Sequence, residues 1–567
     1  MSTKLMNSLG TYDYVVFLVY FLIVALYGWT VYRKKQAQKE NSKDFFLAKD
    51  SLTWWAIGAS LIASNISAEQ FIGMSGSGFS MGLAIASYEW LAAATLIIVA
   101  VFFIPVYIKN KIYTMPQFLG QRYNSTVAMI MAIFWLLLYV VVNLTSILYL
   151  GALAINSISG INITACMYVL SVFAVIITLG GMKVIGYTDV IQVFFLILGG
   201  LATTYLALEL VATHFGTTGV VNGLALIKEK ATDHFHMIFH KENAHYMDLP
   251  GLSVLIGGMW IVNLNYWGCN QYITQRALGA DLKTARSGLL FAAFLKLLMP
   301  IIVVLPGIAA YVLYKEGYGD FHKTMLKDGS LNADSAYPVL LNLLPAGLKG
   351  LSFAALTAAI VASLAGKANS IATIFTLDVY KKIINKEADE NRQVIIGRIT
   401  VIVAMVLAII IAPQLGIDKK GGFQFIQEYT GFVSPGIFAM FLLGFFWKRT
   451  TSNAALFATI GGFILSVFFK VLPTFTNLQW LNAYGFSKLA PQKDGTMLYE
   501  IPFIDRMGFV FMICVIAMFI ISKMENRNGI NPKGLEVDRS MFKTTQTFAV
   551  GALIVCGIIV ALYTVFW

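Results

Sequence analysis

The run Ala59-Ser60-Leu61-Ile62-Ala63-Ser64-Asn65-Ile66-Ser67-Ala68-Glu69-Gln70-Phe71-Ile72-Gly73 opens as an apolar membrane helix and turns polar where such a helix would be at mid-depth. Asn65, Ser67, Glu69 and Gln70 fall within six positions, and glycines follow at 73, 76 and 78. Facing lipid, one ionised carboxylate at the bilayer centre costs roughly 2.5–3.5 kcal/mol on insertion scales. A segment of this kind is tolerated only inside a bundle or along a wet cavity. A helix broken at the midplane also frees backbone carbonyls, and those can hold a cation. The plain alternative is a polar helix packed against its neighbours. Either way the stretch demands a helical membrane bundle with a polar interior.

The rest of the chain agrees. Of 567 residues only 12% are charged and 58% are hydrophobic, whereas soluble proteins carry about 25% charged residues. A hydrocarbon core of about 30 Å asks for about 20 apolar residues per helix. That rule predicts about fourteen spans, near 13–32, 53–74, 82–108, 126–155, 160–180, 183–212, 250–272, 286–314, 346–379, 395–414, 423–447, 452–472, 503–522 and 546–566. The first is no cleavable signal, because Asp13 and not a basic residue precedes it.

The formal net charge of +12 reports topology and not nucleic-acid binding, because it gathers in alternate loops. These hold Arg33, Lys34, Lys35, Lys39, Lys43 and Lys49, then Lys109, Lys111 and Arg122, then Lys183, and so on to Lys523, Arg527 and Lys533. The positive-inside rule puts them in the cytoplasm and both termini outside. Loops 213–249 and 315–345 are then external and hold all six histidines. With no histidine in a span, a membrane enzyme with a paired catalytic set is disfavoured. Cys166, Cys269, Cys514 and Cys556 lack metal-ligand spacing and read as buried small hydrophobes.

The spans beginning at 53 and 250 are both polar in the middle, the second reading Asn263-Leu264-Asn265-Tyr266-Trp267-Gly268-Cys269-Asn270-Gln271. Each opens a block of five spans, 53–212 and 250–447. Five is odd, so the blocks run through the membrane in opposite senses, a pattern that belongs to transporters with a site at mid-depth. Other polar residues inside spans are Glu89, Asp189, Lys296, Lys367, Gln427 and Glu428. Snorkelling explains a lysine near a helix end, but Lys296 lies about ten residues from the nearest basic loop. Amides (Asn65, Gln70, Asn263, Gln427) match hydroxyls that both donate and accept. Aromatic rings (Tyr88, Tyr266, Trp267, Phe423) cover an apolar face. The set suits a neutral polyhydroxylated ligand.

These motifs resemble the solute:sodium symporter family in its bacterial sodium/galactose and sodium/glucose branch. The resemblance runs along about the whole chain. It is densest at Ala63 to Gly78, Ser87-Tyr88-Glu89-Trp90, Tyr187-Thr188-Asp189-Val190-Ile191-Gln192, Asn270-Gln271, Phe291 to Lys296, Thr376-Leu377-Asp378-Val379-Tyr380 and Ile426 to Pro435. It implies an all-α polytopic membrane protein of about 14 transmembrane helices. These form a five-plus-five inverted repeat as in the leucine transporter (LeuT), with one extra N-terminal and three extra C-terminal helices. The corresponding parts are 1–51 (leading helix and basic loop), 52–212 (first repeat), 213–249 (external loop), 250–447 (second repeat) and 448–567 (trailing helices).

The implied activity is secondary active transport, not enzymatic: sodium-coupled symport of a neutral hexose into the cell by alternating access, with another neutral solute such as myo-inositol as the alternative. The expected partners are sodium, a monosaccharide and the lipid bilayer, with no nucleic acid. A monomer is expected to suffice, in the inner membrane of the cell. Carried over by motif, Asn65, Gln70, Glu89, Asn263, Lys296 and Gln427 would bind the sugar. Tyr266 would be the inner gate, and Met74, Tyr88 and Phe423 would close the outer side. Sodium would be held by carbonyls of Ala63, Ile66 and Ala359 with the Ser363 hydroxyl. Asp189 and Lys367 would line the ion exit path, either as an ion pair or with Lys367 facing a water-filled inner vestibule. Three positions depart from the family pattern: Ala92 where galactose carriers have serine, Ala362 in place of the first of two paired serines, and Lys367 where an apolar residue is expected.

Overall fold

The computed structural model describes residues 9–36, 52–327, 329–414, 422–492 and 495–567. Most of the predicted basic loop, with Lys39, Lys43 and Lys49, lies outside the described residues. Among those described, ten helices are long and apolar enough to cross a membrane. The number is eleven if Ala244–Ile256 and Gly258–Gly268, bent by 76°, form one span. The predicted fourteen is a larger number for two reasons. Glu69–Lys109 runs on as one helical stretch of 41 residues, and Ile163–Leu179 and Ser434–Phe446 are shorter than a full span. The only strands among the described residues are two short antiparallel pairs, Leu326–Lys327 with Ser330–Leu331 and Lys488–Pro491 with Met497–Glu500.

The chain forms two compact units. The first comprises Met1–Ala86, Phe134–Phe235 and Gln275–Phe425, the second Ser87–Ile133, His236–Thr274 and Ile426–Trp567. At the centre of the first, helix Gly181–His214 packs on Leu348–Ile374, Trp54–Asn65 and Leu282–Lys315. Lipid offers no hydrophobic drive between helices, so close backbone approach at small residues carries the packing. Gly58 and Gly288 do this reciprocally. A Cβ on Gly58 would lie 2.7 Å from the Gly288 carbonyl, and one on Gly288 would lie 2.7 Å from Ile57. Asp13, the acidic residue before the first apolar run, is buried. It accepts from the backbone N–H groups of Gly347 and Gly350 at 2.8 and 2.9 Å. A carboxylate thus stabilises the positive N-terminal end of helix Leu348–Ile374.

In the second unit, Gly258–Gly268 packs between Ser87–Ile98 and Ser434–Phe446, and the latter lies on Phe503–Arg527. Arg122 closes the C-terminal end of Ser434–Phe446. Fully buried, it donates to the carbonyls of Gly444, Trp447, Lys448, Thr450 and Lys533 at 2.7–3.3 Å. A helix end leaves such carbonyls unpaired, and five guanidinium donors fit them. The predicted loop 213–249 contains a helix, Val220–Lys230. His234 within it is buried against Tyr311, with ring centroids 3.9 Å apart, and Nε2 pairs with the Phe79 carbonyl at 3.0 Å. Cys556 is exposed, unlike the other three cysteines, so reading all four as buried is corrected. Its helix, Gln546–Val565, is long and apolar enough to cross a membrane and largely exposed.

Candidate functional site

Helix Trp54–Asn65 stops at Ile66, whose backbone is extended (φ −88°, ψ 114°), and helical structure resumes at Glu69. The break is closed by side chains. Ser67 Oγ accepts from Glu69 N at 3.2 Å, and Gln70 Oε1 accepts from Ser67 N at 2.9 Å. This is the reciprocal serine–glutamine box that starts a helix. It redirects the N–H groups that an unbroken helix would give to the preceding turn. Ser67 N goes to Gln70 instead of Ala63 O, and Gln70 N goes to Ser67 O at 3.2 Å instead of Ile66 O.

The freed carbonyls meet Ser363, which is fully buried on helix Leu348–Ile374. Its Oγ lies 3.3 Å from Ala63 O, 3.2 Å from Ser64 O and 3.3 Å from Ile66 O. One hydroxyl proton serves one carbonyl at a time. Three carbonyl oxygens and a hydroxyl oxygen at one point are therefore a donor set for a hard cation, which takes oxygen ligands. Ala359, one turn earlier on the same helix, and Ala362 are buried too. Ser64 was not foreseen as a ligand. The box pattern Ser67-x-x-Gln70, visible in the sequence, marks where the helix restarts and hence where carbonyls are released.

Beside the cradle, Lys296 Nζ donates to Asn65 Oδ1, and Lys296 is fully buried. Asn65 lies between Ser64 and Ile66, so the cation cradle and an amide–ammonium pair share one break. Gln70 Oε1 is taken by the box, which leaves its Nε2 to donate to a ligand. Gly73 fits against Phe423 because a Cβ there would come 2.8 Å from Phe423 N. Met74 and Phe423 are both buried. The first unit thus holds the residues expected to bind sodium, together with Asn65, Gln70, Lys296, Met74 and Phe423.

The second unit holds the other residues expected for the sugar and the gates. Glu89 and Tyr88 are buried at the start of helix Ser87–Ile98. Asn263 is buried on Gly258–Gly268 and donates to Met259 O at 3.1 Å. Tyr266 is half-buried on the same helix, edge-on to Trp267 with centroids 5.2 Å apart. Gln427 is half-buried on Gly422–Gly431.

The expected Asp189–Lys367 ion pair is not formed. Asp189 Oδ2 accepts from Ser60 Oγ at 2.5 Å, and Ser60 Oγ accepts from Arg276 Nε at 2.9 Å. All three residues are buried, and Arg276 is the cation whose field acts on Asp189. Lys367 turns instead to the π-helical turn Leu138–Leu144. There its Nζ donates to Asn143 Oδ1 at 3.3 Å and sits 4.5 Å from the centre of the Tyr139 ring. The acid whose field acts on it is Glu69. By sequence Arg276 belongs with the basic segment of Lys283 and Arg286, and the structure buries it.

The sodium:solute symporter family model matches residues 45–462. The chain is 45% identical to the sodium/glucose cotransporter of Vibrio parahaemolyticus over 568 residues, 99% of either protein. It is 32% identical to the human sodium/myo-inositol cotransporter 2 over 482 residues, 81% of this chain and 70% of that one. The substrate-bound outward-open structure of a sodium-coupled sialic acid symporter shares its fold. The TM-score is 0.74 at 22% identity, covering 93% of this chain and 100% of the other.

Proposed function

The chain belongs to the sodium:solute symporter family and is a multi-pass, sodium-coupled membrane transporter, and on that premise we propose that the solute it carries is a neutral hexose, glucose or galactose, taken into the cell by alternating access. The observation that carries this reading is the single break at Ile66–Ala68. Sodium held by the carbonyls of Ala63, Ser64 and Ile66 with Ser363 fixes the unwound backbone. Asn65, between those ligands, is thereby held with Lys296 to receive sugar hydroxyls. Ala359 would supply a further carbonyl. Ligand and ion then order the same segment, and each lowers the cost of binding the other.

Gln70, Glu89, Asn263 and Gln427 are the further proposed sugar contacts. Tyr266 would cap the ring on the inner side, and Met74, Tyr88 and Phe423 would close the outer side. Asp189 and Lys367 would flank the ion exit path separately. The proposed organisation is two inverted five-helix repeats, 52–212 and 250–447, after a leading helix and before three trailing ones. The alternation of basic loops supports termini outside the cytoplasm in an inner membrane. The Vibrio relative favours a hexose, and the human relative keeps myo-inositol as the alternative. Proteoliposomes with an inward sodium gradient and a panel of labelled glucose, galactose and myo-inositol test this. Concentrative hexose uptake is expected, and uptake of myo-inositol alone would replace the hexose assignment.

A further inference from the structure

Away from the polar break, the first unit contains a cavity of about 530 Å3, within the roughly 300–1,000 Å3 usual for small-ligand sites. Its walls come from helices Thr11–Gln36, Ile163–Leu179, Gly181–His214 and Glu390–Ile411. Nearly all of the lining is apolar, with Phe21, Val24, Phe173 and Ile177 among it; the exceptions are Thr188 and Arg398. It opens sideways, because the lining residues Trp29 and Ile176 are 54% and 62% exposed on faces that would meet hydrocarbon.

The ends of the four helices agree on its depth. The lining lies toward the C-terminal ends of Thr11–Gln36 and Ile163–Leu179 and the N-terminal ends of the other two. Those are the ends that adjoin the basic segments with Arg33, Lys34, Lys35, Lys183, Lys386 and Arg392. Trp29 lies seven residues from its helix end and Arg398 eight from its own, about 10–12 Å in at 1.5 Å per residue. Tryptophan is enriched at the level where headgroup meets acyl chain. From Trp29 to Phe21 the cavity then runs about 12 Å toward the bilayer centre. An arginine inside a span marks a functional site by default, and guanidinium is the side chain best matched to phosphate.

We propose that this cavity is a binding site for one acyl chain of an anionic phospholipid from the basic side of the membrane, with the lipid phosphate on Arg398. Charge complementarity selects the occupant: an apolar slot with one guanidinium, at the helix ends where the sequence is basic, matches an anionic lipid. The site borders the transport machinery through Thr188, which lines the cavity and immediately precedes Asp189.

Lipid-stripped protein in mild detergent, exposed to phosphatidylglycerol or phosphatidylcholine and weighed by native mass spectrometry, tests the site. The parent should retain a single phosphatidylglycerol in preference to phosphatidylcholine. Arg398→Gln should keep the slot and lose that preference by about fivefold. Ala25→Phe, placed on the exposed mouth, should lose both lipids with an unchanged melting temperature. Equal retention of the two lipids by the parent, an unchanged preference in Arg398→Gln, or undiminished phosphatidylglycerol on Ala25→Phe would each overturn the assignment.

Discussion

Two helices carry the polar interruptions that open the two halves of the sequence, and they are interrupted in different ways. In the first unit, Trp54–Asn65 ends in extended backbone at Ile66 and restarts behind a serine–glutamine box. In the second, Ala244–Ile256 and Gly258–Gly268 meet at Gly257 and bend by 76°. Gly257 donates to Ser253 O at 2.9 Å, as Ile66 does to Ile62 O, and past the bend Trp260 N turns to Gly257 O at 3.1 Å while its indole Nε1 donates to Leu255 O at 2.7 Å. The polar residues of this second interruption, Asn263 and Asn265, sit inside the continuous helix after the bend. A break capped by side chains releases carbonyls and builds an ion cradle. The bend at glycine redirects the helix and gives the Leu255 carbonyl to an indole N–H. The proposed ion site thus lies at the first interruption, where the Ser363 hydroxyl meets the carbonyls of Ala63, Ser64 and Ile66.

The contrast breaks most visibly at Ser363. Replacing it with alanine removes the hydroxyl from the cradle, and Ser363→Ala should raise the sodium half-saturation of uptake by up to about 100-fold, from a loss near 3 kcal/mol. Ser363→Thr should retain sodium dependence. An unchanged sodium curve in Ser363→Ala would remove the ion from this break.

Next in size is Lys296→Met, which leaves Asn65 without its ammonium partner. Hydrogen bonds to charged groups contribute about 1.5–3 kcal/mol, so the hexose KM should rise about 10- to 100-fold. Sodium half-saturation should move much less. If both constants move equally, Lys296 serves the cradle and not the sugar.

On the bent helix the effect should follow ring and not hydroxyl. Tyr266→Ala should lose coupled uptake by about tenfold or more, the scale of a lost aromatic contact of about 1.5 kcal/mol. Tyr266→Phe should keep most of it. Equal rates for the two variants would take Tyr266 out of the gate.

The smallest change expected is in Ser67→Ala, which removes a cap worth typically about 1 kcal/mol. Sodium and hexose affinities should both weaken, by about fivefold. Equilibrium titration of each ligand reads this out. A shift in one alone would show that the two sites do not share the break.

Much of this was legible in the sequence for reasons that can be named. The stretch from Ala59 to Gly73 points to a break because polar residues at mid-depth are tolerated only inside a bundle or along a wet cavity, and glycines follow them. Ser67 and Gln70 stand at box spacing, so the restart of the helix was readable too. Partner choice among buried charges was not. Asp189 goes to Ser60 and Arg276, and Lys367 to Asn143 and Tyr139. Spacing along one helix orders the charges by height and leaves open which neighbouring helix answers each. Hydropathy separates 53–74 from 82–108, whereas the structure carries Glu69–Lys109 as one helical stretch of 41 residues. The chain instead makes the tight turn at Gly82 within a helical stretch: its φ is +74°, and a Cβ there would collide with His234.

The most direct measurement is of reciprocal binding to the purified transporter: hexose affinity with and without saturating sodium, and sodium affinity with and without saturating hexose. If the cradle and Asn65 share one break, each ligand should tighten the other by the same factor, about 5- to 150-fold for a coupling of 1–3 kcal/mol. Affinities that do not respond to the other ligand would contradict a shared break as the origin of sodium-coupled transport.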